Sequence, residues 1–530
     1  MTTLNAQILS LILLAPLVGA LLIALLPDRG KLSAGIALLT ALVTFGLTLH
    51  LPAHYAVAQA GFQFQQDVPW IDSPNIHYHV GVDGLSLWLV VLTGLLAPVG
   101  VLASWKTIEK RSKVFYSLFL VQQTAMLGVF ISLDLMLYYG FWELSLVPMA
   151  VLIAMYGRTK HGTEGPKAAL RFFLYTFIPS APLLVALLYL YAHSGTAVGS
   201  FDFLTLHSAV VAGQIPYPAL FWLSLAFLFA FAVKVPVFPL HGWLADVFSE
   251  GPVAMAMVVA GKLGLYSLIR FHIGLFPEQA RQIAPVLIAL AAIGILYGAL
   301  LALVQKDFWK LLSYGTLSAL SFATLGIYGF TLAGLDGAVF QTLNEGVIGA
   351  AMFVLLGVLY ERFGTSEIKQ YGGLARKTPA LATLFVFVSL AMIGLPMLNG
   401  FVGEFLVLSS TFGVSRGWAA AATLGVILSA AYMLSLIQKI FQGPQSALVK
   451  DPALDLPMLD LNFREKLILW PLAALMLLMG VQPNLWLAGI ESGIGHFSNP
   501  VSNPAAIRMP DCHDPNVRCS IVAIVKGGQQ

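Results

Sequence analysis

From Asn5 to Leu26 the chain carries no charged side chain, and stretches of this kind recur along almost its whole length. They lie near 6–26, 32–51, 85–105, 114–133, 135–156, 168–192, 218–238, 252–276, 284–304, 308–330, 332–360, 379–412, 417–441 and 465–489. A helix needs about 20 apolar residues to cross a bilayer, so the expected fold is all-α, a polytopic membrane protein of about 14 transmembrane helices. The 379–412 stretch is too long for one straight helix, and Pro396 interrupts it. Only 10% of the residues are charged, against roughly 25% in a soluble domain, so lipid must cover most of the surface. The first apolar run lacks a basic leader and feeds into another span, so it reads as a retained helix rather than a signal peptide.

The basic residues are distributed unevenly. Of the 28 Lys and Arg, 20 fall in one set of connections if the N-terminus lies outside. Six (Arg270, Arg281, Arg416, Arg508, Arg518 and Lys526) fall in the other set, and Lys234 and Lys262 lie within spans. Basic residues favour the inner side, so both termini are expected outside. The outer connections 52–84 and 193–217 contain no Lys or Arg, and 490–530 reads as a poorly ordered polar tail. The net charge of +3 offers no basic stripe for nucleic acid. Cys512 and Cys519 both lie in the tail, and no nucleotide-binding glycine motif is present. This chain is therefore expected to bind no metal, cluster or redox cofactor.

Ionisable residues inside spans stand out, because each costs at least ~2.5–3.5 kcal/mol to insert at mid-bilayer. They are Glu143, Lys234, Lys262 and Glu404, with Glu345 as a fifth candidate. One buried Glu–Lys pair can simply fix helix packing. Five such groups on five spans favour a path of titratable sites, in which moving one partner switches the protonation of the other. Two of them stand beside helix breakers: Pro236 and Pro239 follow Lys234, and Gly394-Leu-Pro-Met-Leu-Asn-Gly400 precedes Glu404. Broken helices in membranes are tolerated where they are buried in protein or line a wet cavity, and a matched pair suggests the repeats of a transporter. His241, just after the first break, reads equally as a relay group or a structural histidine. Asp246 and Glu250 are placed at the inner surface, as entrance groups or helix caps. Ser313, Tyr314, Thr316, Ser318 and Ser321 read as water-path or interhelical hydrogen-bonding groups. Trp142 reads as packing.

Several motifs together resemble the antiporter-like subunits of respiratory complex I, in particular the type called M in bacteria and chain 4 in organelles. They are Val82-Asp-Gly-Leu-Ser86, Phe141-Trp-Glu-Leu-Ser-Leu-Val-Pro-Met149, Lys234-Val-Pro-Val-Phe-Pro-Leu-His-Gly-Trp-Leu244, Leu359-Tyr-Glu-Arg362 and Asn399-Gly-Phe-Val-Gly-Glu-Phe405. The resemblance implies two inverted five-helix repeats with broken helices. The expected divisions are flanking helices at 1–113, repeats at 114–276 and 284–441, a last span at 465–489 and the tail at 490–530. It implies a switchable Glu143–Lys234 pair, a relay through Lys262, and an exit through Glu404. NADH, flavin, iron–sulfur clusters and quinone are then expected in partner subunits, with other membrane-arm subunits as neighbours and a bacterial inner membrane as the location. The family's usual histidines are replaced by Ala319 and Glu345, and Ala245 stands where a proline is usual. A cation/proton antiporter subunit, a membrane-bound hydrogenase subunit and a structural scaffold are the alternative readings.

Overall fold

The computed structural model describes residues 3–28, 30–59, 61–158, 163–254, 262–450 and 460–495. Among these, eleven helices are long and apolar enough to cross a membrane, or up to twelve if the pair Phe463–Val481 and Asn484–Ile494, bent by 69°, is one span. Two further expected spans take other forms. The 379–412 stretch divides into helices Pro379–Ile393 and Asn399–Val414, and the described part of 252–276 includes the helix Lys262–Ser267. The expected arrangement of about 14 spans is thus recovered, with the broken ones where breakers stand.

Local chemistry explains where the helices begin. Asp83 caps Gly84–Ser104 in a reciprocal box with Ser86, and Asn462 does the same with Glu465 for Phe463–Val481. Asp134 accepts from the backbone N–H groups of Met136 and Leu137, and Asp307 from those of Trp309 and Lys310. Span 135–156 is interrupted at Ser145, two residues after Glu143.

The outer helices turn apolar side chains outward. Leu21, Leu39 and Trp222 are 59%, 65% and 70% exposed, as expected where lipid is the solvent. The helix Leu332–Phe363 is the opposite case: almost all of it is buried. It touches the helices Gly84–Ser104, Lys262–Ser267, Asn399–Val414 and Phe463–Val481, and so joins the two halves of the chain.

The connection 52–84, expected as a loop, is an antiparallel hairpin of β1 (Gln63–Ile71) and β2 (Ile76–Val82). It is held to the helix ends beneath it: Leu133 N–H donates to the His79 carbonyl at 2.9 Å, and Phe203 N–H donates to that of Leu133 at 2.9 Å. The connection 193–217 contains a short helix, Phe203–Val211. His79 Nδ1 and Asp202 Oδ1, 2.7 Å apart, tie the two connections together. Burial disfavours the charged His79, but the Asp202 carboxylate, with Asp67 and Asp134 nearby, more than offsets this and raises its pKa.

Arg270, assigned from sequence to an outer connection, is instead buried in a π-helical turn, Leu268–Ile273, and forms an ion pair with Asp83. Tyr266 accepts from its Nε at 3.3 Å. A carboxylate 187 residues away in the chain explains why this arginine leaves the surface. The tail cysteines and residues 496–530 lie outside the described residues.

Candidate functional site

The first broken span positions Lys234. Its helix, Tyr217–Lys234, ends there because Pro236 has no N–H to continue the ladder, and Val237 N–H turns back to the Ala232 carbonyl at 2.8 Å. The ammonium therefore sits at the carbonyl end of a helix, the end that favours cations. It is 6% exposed, donates to Ser145 Oγ at 3.3 Å, and lies 5.2 Å from the centre of the Trp142 ring and 5.6 Å from that of Phe172. Trp142 is thus more than packing, because its ring face holds the cation. Glu143 is an electrostatic neighbour of Lys234, but its Oε1 has no hydrogen-bond partner and no ion pair joins the two. Ser180 and Tyr139 stand beside the carboxylate.

The helix of Lys262 is pressed against this break. A Cβ on Gly264 would lie 2.8 Å from Val235 N, so only glycine allows that approach. Lys262, 1% exposed, reaches the other way: a Cβ on Gly346 would lie 3.0 Å from Lys262 Cε. The adjacent Glu345, 6% exposed, is the lysine's electrostatic neighbour.

The second broken span positions Glu404. Gly394 ends the helix Pro379–Ile393 at φ +80°, a conformation that glycine adopts without steric cost. The Glu404 carboxylate folds back over it, so closely that any Cβ at 394 would collide with Oε2. Glu404 is 8% exposed and feels the charge of Glu345. An amide clasp holds the break. Asn399 Nδ2 donates to Asn344 Oδ1 at 2.9 Å, while Asn344 Nδ2 donates to the Asn399 carbonyl at 2.9 Å and to Gln341 Oε1 at 3.0 Å.

Five of the six candidate residues therefore fall into two neighbouring groups, the partly buried Glu143 with Lys234 at the first break, and Lys262, Glu345 and Glu404 toward the second. His241 stands apart from the contacts just described. It is partly buried, with its ring against Phe238 and Tyr297, and its Nδ1 is unpartnered. Asp246 pairs with Arg171, and Glu250 closes the short helix Leu244–Glu250, where its carbonyl accepts from Arg158 N–H at 2.8 Å. The hydroxyls of Ser313 and Ser321 bond to their own helix, and Ser318 bonds to the Ile295 carbonyl at 2.9 Å. Sequence reasoning missed Ser145, Gln341, Asn344 and Asn399. The signal for Asn344 was available: an amide in an apolar span requires a partner.

Two family models match the chain. The one described as "NADH:quinone oxidoreductase/Mrp antiporter, TM" covers residues 132–429, and "NADH-ubiquinone oxidoreductase chain 4, amino terminus" covers 31–133. NADH-quinone oxidoreductase subunit M of Rhodobacter capsulatus is 39% identical, the match spanning 93% of this chain and 96% of that protein. NADH-ubiquinone oxidoreductase chain 4 of Marchantia polymorpha is 34% identical over 92% and 96%. A chain of respiratory complex I from Thermus thermophilus superposes with a TM-score of 0.83 at 34% identity, covering 93% of this chain and 100% of that one. A chain of the Mrp complex from Dietzia gives 0.82 at 21% identity, covering 96% and 100%, a likeness of fold alone. The chain belongs to the antiporter-like subunit M and chain 4 family of respiratory complex I.

Proposed function

We propose that this chain is a non-redox membrane-arm subunit of an NADH (or related donor):quinone oxidoreductase that moves protons through Glu143, Lys234, Lys262, Glu345 and Glu404. The observation that supports this reading is the grouping at the two broken helices: Glu143 is the neighbour of Lys234 at the first, Glu345 is the neighbour of both Lys262 and Glu404 near the second, and the helix of Lys262 packs against the first break. Glu143 and Lys234 are the switchable pair. When their separation changes, the stability of the two charges changes with it, and a proton is passed on to Lys262. Glu345 occupies a position where the family usually has histidine and serves as the next titratable step. Glu404 delivers to the outer side.

Electron transfer belongs to partner subunits that hold NADH, flavin, iron–sulfur clusters and quinone, and neighbouring membrane-arm subunits transmit the driving charge. Taking the face with most basic residues as the inner one, the reading sets both termini outside, and it assigns the chain to a bacterial inner membrane. The two breaks mark equivalent points of two inverted repeats, at 114–276 and 284–441. The fold is shared with an Mrp chain and does not choose between redox-driven pumping and cation/proton exchange. The relatives at 39% and 34% identity favour the first.

The test is made in membrane vesicles containing the assembled complex. Lys234→Ala and Glu404→Gln should each impair proton uptake driven by NADH oxidation while the complex still assembles. Full pumping by both assembled variants would leave only a scaffold role. Sodium-dependent transport without redox partners would assign the chain to an antiporter complex.

A further inference from the structure

The passage from Glu345 to Glu404 joins two acids, and the helix beside them offers little help. Between Lys310 and Tyr328 that helix carries no Lys, Arg, His, Asp or Glu. A different helix, Arg416–Phe441, supplies a hydroxyl. Tyr432 is 2% exposed, and its phenol lies within electrostatic reach of both Glu345 and Glu404.

The packing shows where the hydroxyl points. A Cβ on Gly315 would lie 2.8 Å from the Tyr432 hydroxyl and 3.2 Å from Met392 Cε. Gly315 is one helical turn before Ala319. Met392 is two residues before Gly394, the glycine covered by the Glu404 carboxylate. The phenol oxygen is therefore lodged beside the second break.

We propose, building on the relay reading above, that the Tyr432 hydroxyl is a proton-transfer group between Glu345 and Glu404. The protonated Glu345 carboxyl gives its proton to the phenol oxygen, directly or through water, as the phenol O–H gives its own to the Glu404 carboxylate. Glu345 is left as carboxylate, Glu404 as carboxylic acid, and the tyrosine is unchanged. No phenolate forms and no other reactant is needed. A phenol both donates and accepts, which is what a neutral link between two acids requires.

Tyr432→Phe keeps the ring and removes only the hydroxyl. In vesicles carrying the assembled complex, it should slow NADH-driven proton uptake about tenfold. That is less than the ~100-fold typical of a positioned acid–base group, because water still crosses part of the gap. Adding Ala319→His to this variant places a titratable ring one turn from Gly315 and should restore most of the rate. A merely structural tyrosine would not be rescued in this way. Wild-type pumping by Tyr432→Phe, or a loss that Ala319→His leaves unrepaired, overturns the proposal. If Tyr432→Phe does not assemble, Gly315→Ala decides, since its methyl displaces the hydroxyl while keeping the phenol: slowed uptake supports the role and an unchanged rate refutes it. Glu404→Gln, measured alongside, separates the two levels. A defect there with normal Tyr432→Phe removes only the tyrosine, whereas normal pumping in Glu404→Gln removes the relay itself.

Discussion

Two groups of buried charges in this protein are built on opposite principles. At the start of Gly84–Ser104, Asp83 and Arg270 are in direct contact, and both are committed to further bonds, Asp83 to Ser86 and Arg270 to Tyr266. In the middle of the spans, Glu143 and Lys234 stand near each other without an ion pair, and Glu345 and Glu404 are two acids facing the same region. A contacting, fully bonded pair resists change, because separating its members exposes each to a medium that does not solvate it. Spaced charges bordered by hydroxyls and helix ends keep the freedom to gain and lose protons. The difference teaches that burial of a charge alone does not mark a relay, and that what matters is whether its partners leave it free.

The largest expected effect tests the fixed pair. Asp83→Ala leaves Arg270 buried and alone, at a cost of about 3–5 kcal/mol. Loss of the subunit from the assembled complex, or a steep drop in its thermal midpoint, is the expected result. Asp83→Leu combined with Arg270→Met should recover much of that loss, short of the ~1 kcal/mol of the lost helix cap. No recovery would place a working role on the pair and erase the contrast.

The proposed relay residues should behave the other way. Glu404→Gln is nearly isosteric and should leave assembly intact while lowering redox-driven proton uptake by about 100-fold, the scale of a lost acid–base group. A normal rate with poor assembly would make Glu404 a structural group like Asp83. Gly394→Ala should have a smaller, mixed effect. The left-handed conformation costs an L-residue roughly 1–2 kcal/mol, and the methyl displaces the Glu404 carboxylate. Both stability and proton uptake should fall, and a variant affected in stability alone would mean that the carboxylate's position is unimportant.

The smallest effect is expected in the hairpin layer, where His79 and Asp202 form a third, partly solvated pair. The folded pKa of His79 is raised, so its contribution to stability is full below its ordinary value of 6.5 and is lost as the pH rises through the folded value. Asp202 is lowered. Although burial alone would raise its pKa, its bonds to His79 and Thr205 outweigh this, so its contribution is present above 3.8 and lost as the pH falls through the folded value. Amide exchange in β2 should therefore be slowest in mildly acidic buffer and faster at higher pH. His79→Gln should flatten that dependence.

Much of this was legible before any coordinates. The spans could be read because each helix must satisfy its own backbone in lipid and therefore declares itself as an apolar run of the right length. Both breaks were legible because Pro236 and Pro396 cannot sit in a regular helix interior without disrupting it. The five proposed relay residues were visible because lysine and glutamate in apolar spans default to a functional explanation. The hairpin was not legible, since its loop residues had only short-range patterning and are held by the ends of distant helices. Arg270 was misplaced because its partner Asp83 lies far away in the chain.

By itself, then, the sequence determined that this protein is a many-span membrane protein with broken helices and ionisable groups beside the breaks. Those properties depend on composition and spacing within single segments. Only the tertiary structure decided which charges touch and which stand apart, that Lys262 lies against Gly346 beside Glu345, and that a tyrosine from Arg416–Phe441 packs against Gly315 within electrostatic reach of two acids. Such facts depend on the approach of helices remote in sequence, and that approach is set by the shapes of their packed faces rather than by any local pattern.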